Sequence, residues 1–223
     1  MADKSSSSRL AQDLLRIHRV ISRGLIVSVT KGVDFMQAGF PDPGMRKGYA
    51  DYTQSLATVL DAHHLGEDEI AFPYLREKIT AAPYERLTRN HQEIVVLLDS
   101  AGKAIPLVAE KGDQADLAEL VDILRKISNI WRPHIQTEEF YFSEDALAAA
   151  VSPEEQDRMS AAMAKHNQEH ATPPTLALPF VLFNLEAEDR AAMATSLPAV
   201  VVEELIPKGW KEQWAPMKPF LLE

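Results

Sequence analysis

Seven histidines and no cysteine set the chemistry open to this chain. The histidines are His18, His63, His64, His91, His134, His166 and His170. Two of them carry a carboxylate four residues on: His63 is followed by Glu67 and His134 by Glu138. On an α-helix such residues share a face one turn apart, so an imidazole and a carboxylate can take neighbouring positions on one metal ion or span two. A glutamate has two oxygens and can bridge a pair of cations. His-x-x-x-Glu also occurs as an ordinary exposed helix pair worth a few tenths of a kcal/mol, and the histidines of a metal-free bundle could be incidental. The conjunction of two such pairs with His18 and His91, each set within an apolar band, points to metal. Several buried imidazoles and carboxylates are costly together without a cation between them.

Elimination narrows the chemistry further. Without cysteine there is no disulfide framework, thiolate nucleophile, iron–sulfur cluster or thiolate zinc site. Four imidazoles and two carboxylates suit iron best, with zinc, manganese and nickel as alternatives. A single zinc needs four ligands, so six candidates favour two metals. The Glu-x-x-His of ferritin-like di-iron proteins is missing: the residues three before each histidine are Leu15, Leu60, Asp61, Thr88, Trp131, Met163 and Asn167. His-Glu-x-x-His is missing as well.

Helices must position these groups. Apolar residues recurring three and four apart predict four long helical segments: about 9–38, 45–79, 84–110 and 114–150. The first breaks at Gly39-Phe40-Pro41-Asp42-Pro43-Gly44, the second at Ala81-Ala82-Pro83 and the third at Lys111-Gly112-Asp113. Short connections imply an all-α, up-down four-helix bundle over 9–150. Each helix brings at least one histidine away from its ends, and the four can converge at one height. Pro73, Pro106 and Pro133 fall inside the helical patterns and should bend or shift them locally. Residues 1–8 read as a flexible polar tail. Ser152-Pro153-Glu154-Glu155 looks like a fresh helix start, running to about Ala171. Residues 151–223 read as a helical, proline-rich extension packed on the bundle.

A net charge of −10 argues against nucleic acid, whose phosphates need clustered Lys and Arg. No run approaches the ~20 apolar residues of a membrane span, and no secretory signal opens the chain, so the expected location is cytoplasmic.

The ordered set resembles the hemerythrin-like, or HHE cation-binding, family. The resemblance rests on Leu15-Arg16-Ile17-His18-Arg19, on His63-His64-Leu65-Gly66-Glu67-Asp68 leading to Phe72-Pro73, on Arg89-Asn90-His91, and on His134 through Glu138-Glu139. It covers about residues 9–150. It implies two iron ions in an oxo- or hydroxo-bridged centre, with His18, His63, His91 and His134 as terminal ligands and Glu67 and Glu138 as bridges. The function it implies is to engage O2, peroxide or NO at an open iron position; alternatives are an oxidoreductase acting on peroxide or NO or repairing iron centres, and an iron-responsive regulatory module. Two features depart from the oxygen-carrying members. Val95 stands where they have a second histidine on the third helix, and Glu138 and Glu139 stand four and five residues after His134 where they have an aspartate at five. One iron would then have fewer protein ligands. His64 could add a ligand, but it lies about 100° around the helix from His63 and stands outside the expected six. His166 and His170 are expected on a solvated helix face, with a second metal as the alternative.

Overall fold

A computed structural model describes residues 9–222; the expected N-terminal tail at 1–8 lies outside them. The described residues form helices joined by turns and short loops, with no strand, and no helix among them is long and apolar enough to cross a membrane.

Four long elements form the bundle: α1 (Arg9–Ala38), α2 (Pro43–Gly66), α4 (Tyr84–Glu110) and α5 (Gln114–Tyr141). Each packs on two neighbours, in the cyclic order α1, α2, α4, α5, as short connections between antiparallel helices require. The first turn is made by Gly39, whose φ of 76° suits a residue without Cβ. Asp42 then caps α2 by accepting from the Met45 N–H at 2.8 Å.

The expected second helix over 45–79 is not continuous. A π turn at Glu67–Ala71 follows α2, and a short α3 (Phe72–Leu75) follows that. The cause is Pro73. In a regular helix its ring would meet the carbonyl four residues back, and the wider turn relieves this, with the Phe72 N–H reaching Glu67 O. The expected fourth helix to residue 150 also ends early, at Tyr141. Ser143 starts a new helix, α6 (Glu144–Ala150), by accepting from the Ala146 N–H. Pro106 and Pro133 stay inside α4 and α5.

Beyond the bundle come α7 (Pro153–His170), α8 (Pro174–Phe183), α9 (Ala187–Ala194), a π segment at Val201–Gly209, α10 (Lys211–Trp214) and a 3-10 turn at Ala215–Phe220. Ser152 and Glu155 close the start of α7 as a capping box. The last turns lie along α1 and α2: Phe220 meets the rings of Phe35, Tyr49 and Tyr52. Arg23 donates to Phe220 O at 2.9 Å, and the Leu222 N–H donates to Phe183 O at 2.7 Å. Gly48 permits the close approach, since a Cβ there would fall 1.9 Å from Pro216 O.

The apolar interior is in two parts. One cluster holds Ile21, Leu60, Ile94, Ile127 and Trp131 with Ala177, Phe180, Trp214, Met217 and Phe220 of the extension. The other holds Ala11, Phe72, Leu87, Phe142, Leu147 and Met159. On all four bundle helices, the histidines and glutamates fall between the two.

Candidate metal centre

At that boundary the structure brings together all six expected residues, His18, His63, Glu67, His91, His134 and Glu138, and adds His64. All seven are 0–3% exposed. Their ligand atoms form two groups, each within 4.8 Å: His18, His63, Glu67 and Glu138 in one, His64, Glu67, His91 and His134 in the other.

The carboxylates join the two groups. Glu67 places Oε1 3.5 Å from His63 Nε2 and Oε2 3.5 Å from His91 Nε2. Glu138 places Oε1 3.2 Å from His134 Nε2 and Oε2 3.3 Å from His18 Nε2. Each glutamate thus spans the histidine of its own helix and one from a neighbour: α2 reaches α4, and α5 reaches α1.

The acid following each bridge repeats the pattern from behind. The His18 Nδ1–H donates to Glu139 Oε1 at 3.0 Å, and His91 Nδ1 lies 3.0 Å from Asp68 Oδ2. Asp68 is itself held by the Thr88 hydroxyl at 2.9 Å. At His18 a proton held on Nδ1 leaves Nε2 with its lone pair toward the site, the usual arrangement behind a metal-binding imidazole, while at His91 the Asp68 carboxylate stands in the same position without a hydrogen bond. Residue-type reasoning missed Asp68 and Glu139 in this role. Their signal was available, because each directly follows a bridging glutamate.

His64, left open by the spacing, lies with these groups. Its 100° offset from His63 does not remove it from the site, because α2 occupies a corner of the bundle. His63 faces α1 and meets the His18 ring at 5.3 Å, while His64 faces α4 and stacks on His91 at 4.0 Å. A second imidazole is therefore placed beside His91 from α2, whereas Val95 of α4 points outward and is 39% exposed. Trp131 lies under the rings of His18, His63, His64 and His134 and donates to Ser22 Oγ at 2.9 Å. Phe72 stacks on His91 from the other side.

The donor set fits cations. His18 Nε2, His63 Nε2, both nitrogens of His64, Glu67 Oε2, His134 Nδ1 and both oxygens of Glu138 are buried without a hydrogen-bond partner. At about 1–3 kcal/mol for each buried unsatisfied group, they would together cost on the order of the whole stability of a domain, about 5–15 kcal/mol. His91 Nε2 and His134 Nε2 also face each other at 3.1 Å, a contact that needs a proton or a cation between the lone pairs.

Titration follows the same layout. Burial holds His63 and His64 well below the usual imidazole range, reinforced by neighbouring histidines, so both keep free lone pairs. Burial and the nearby Glu138 push Glu67 well above the usual carboxylate range. Burial opposes ionisation of Glu138 too, but His134 and His18 outweigh it and hold that carboxyl well below its ordinary value. Burial likewise disfavours the charged form of His18, yet Glu138 and Glu139 raise it overall.

The other two histidines lie outside this centre. His166 is buried, not solvated, and its Nε2–H donates to Glu69 Oε2 at 3.0 Å. His170 stacks on it at 4.2 Å, and the three offer ligand atoms within 4.8 Å of one another.

A four-helix bundle with histidines from every helix and two shared glutamates is the arrangement of a cation-binding bundle. Residues 10–146 match the family model described as hemerythrin HHE cation binding domain. The match covers well over half of the chain, which therefore belongs to the hemerythrin-like family. No curated protein and no solved structure matches it.

Proposed function

We propose that the chain is a di-iron protein of hemerythrin-like type that engages O2, peroxide or NO at an open iron position. The observation that carries this reading is the two-sided placement of Glu67 and Glu138, each with one oxygen toward each histidine group. A single ion would leave half of those oxygens and imidazoles without a partner. Iron is favoured over softer-site metals because every donor is imidazole or carboxylate.

When bound, the iron pair supplies a redox-active centre able to take up a small oxygen or nitrogen ligand. The chain's own residues do the rest. His18 and His63 present Nε2 to one half, and His91, His134 and His64 to the other. Glu139 and Asp68 keep the rings of His18 and His91 in place from behind. The two bridging carboxylates offset cationic charge, and Trp131 and Phe72 exclude water. Counting both shared glutamates, the His18/His63 half would offer four donors and the other half five. The His18/His63 half therefore has more room for an exogenous ligand.

Elemental analysis and an optical spectrum of protein purified without oxidants test the proposal. Two irons per chain with a ligand-to-metal absorption band are expected. Glu67→Ala and Glu138→Ala should each lose most of the iron. Full retention in both variants rules out the bridging role. Steady-state consumption of peroxide or NO by the loaded protein would favour a turnover enzyme over a binding protein.

A further inference from the structure

An apolar cavity of about 460 Å³ lies between α1, α2, α3 and the extension. That is within the ~300–1,000 Å³ of sites that hold small organic ligands. Leu14, Ile17, Phe72, Met163, Leu178 and Val201 are among its walls. Methionine side chains there, Met159, Met163 and Met193, can adapt to an occupant's shape. Of the seven residues of the metal centre, His63 and Glu67 line this space. It thus reaches the half of the centre with fewer protein donors.

The few polar groups on the wall describe the occupant. Arg9 and Asp13 line the space at 3.7 Å from each other, and Asp13 also accepts from Arg16 at 3.0 Å, which ties these charges to one another at the rim. Ser160 Oγ and Asn167 Oδ1 also belong to lining residues, and both are buried without a hydrogen-bond partner. Asn167 Oδ1 lies 3.4 Å from where a Cβ on Gly66 would sit, next to Glu67 in the chain. An acceptor in want of a donor is therefore placed beside Gly66, one residue from Glu67, on a side chain that also lines the aliphatic space.

We propose that this cavity binds an uncharged aliphatic chain ending in a hydroxyl group, with that O–H donating to Asn167 at the His63–Glu67 end. The placement beside a metal rests on the di-iron reading; the binding itself does not.

The test uses the full-length chain with its metal as purified and the neutral fluorophore 1-aminoanthracene, displaced by 1-hexanol, 1-octanol and 1-decanol. Affinity should rise about fourfold per added methylene until the space is filled. Octanoate should bind at least tenfold more weakly than 1-octanol, since its carboxylate would give up water against a mostly apolar wall. Leu178→Trp should weaken both probe and alcohol tenfold or more. Asn167→Leu should cost 1-octanol about fivefold and octane nothing. Displacement that ignores chain length, octanoate binding as well as 1-octanol, or indifference to Leu178→Trp would overturn the proposal. Protein that purifies without iron and takes up none on reconstitution, yet binds 1-octanol in this pattern, would sustain the cavity and remove the di-iron reading. Metal-replete protein that does not bind it would do the reverse.

Discussion

The imidazoles of His64 and His91 stack with centroids 4.0 Å apart and planes 16° apart, across the contact between α2 and α4. Neither ring is exposed to water, and both nitrogens of His64 are without a partner. A third imidazole is therefore available to the His91/His134 half. His64→Ala is expected to lower metal affinity of that half by at least tenfold and leave the His18/His63 half nearly unchanged. Stepwise metal titration reads this as one weakened and one intact binding event. Two unchanged events would assign His64 to packing alone.

The acids behind the rings make a separate prediction. Glu139→Gln and Asp68→Asn keep size and remove charge, so the bundle should fold normally. Loss of the partner that orients a metal-binding histidine typically costs about 10–100-fold in metal affinity. Competition with a chelator of known strength measures the change. An effect under twofold in both variants would mean that packing by Trp131 and Phe72 orients the rings unaided.

Gly48 tests the seat of the extension. Gly→Ala inside a helix ordinarily stabilises by about 1 kcal/mol. Here the new Cβ would lie 1.9 Å from Pro216 O and 3.3 Å from the Phe220 ring. Gly48→Ala should therefore destabilise by about 1–3 kcal/mol, the usual range for overpacking, visible as a lower Tm. A rise in Tm would mean that the last turns do not press on α2.

Acid should loosen α7 early. The Tyr74 hydroxyl beside Glu155, with the Ser152 N–H and hydroxyl, holds that carboxyl down to about 2. A carboxyl lowered in the folded state contributes stability that is present above its unfolded pKa and is lost as pH falls through the folded value. Protection of the first-turn amides of α7 against exchange, after correction for the intrinsic rate at each pH, should accordingly fall between about pH 4.3 and 2, and Glu155→Gln should remove that fall. Protection that stays constant over the window would contradict the capping role.

Much of this could be read from local pattern. The bounds of α1 and α4 follow from apolar spacing and the Gly and Pro breaks, and the start of α7 from Ser152 and Glu155. The meeting of His18, His63, His91 and His134 follows from one inward position per helix. What could not be read depends on second neighbours. His64 enters the centre because a corner helix has two inward directions about 90° apart, a property of the assembled square and not of α2 itself. The break at Tyr141 depends on Ser143 competing with a pattern that looks continuous through Leu147. The partner of His166 is Glu69, nearly a hundred residues away and on the π turn that Pro73 induces. Composition alone carries no sign of the cavity, because its walls come from separate helices of the bundle and the extension.

The division of the interior into two apolar clusters, with a ring of imidazoles and carboxylates between them, bears on cooperativity. Oil-like surfaces transmit order by direct packing, and that packing is interrupted at the level of His18, Glu67, His91 and Glu138. With cations in place, the ring ties both ends together and the bundle melts as one body. Stripped by a chelator, the Phe72–Phe142 end has less to hold it to the Tyr49–Phe220 end, and unfolding divides into two steps.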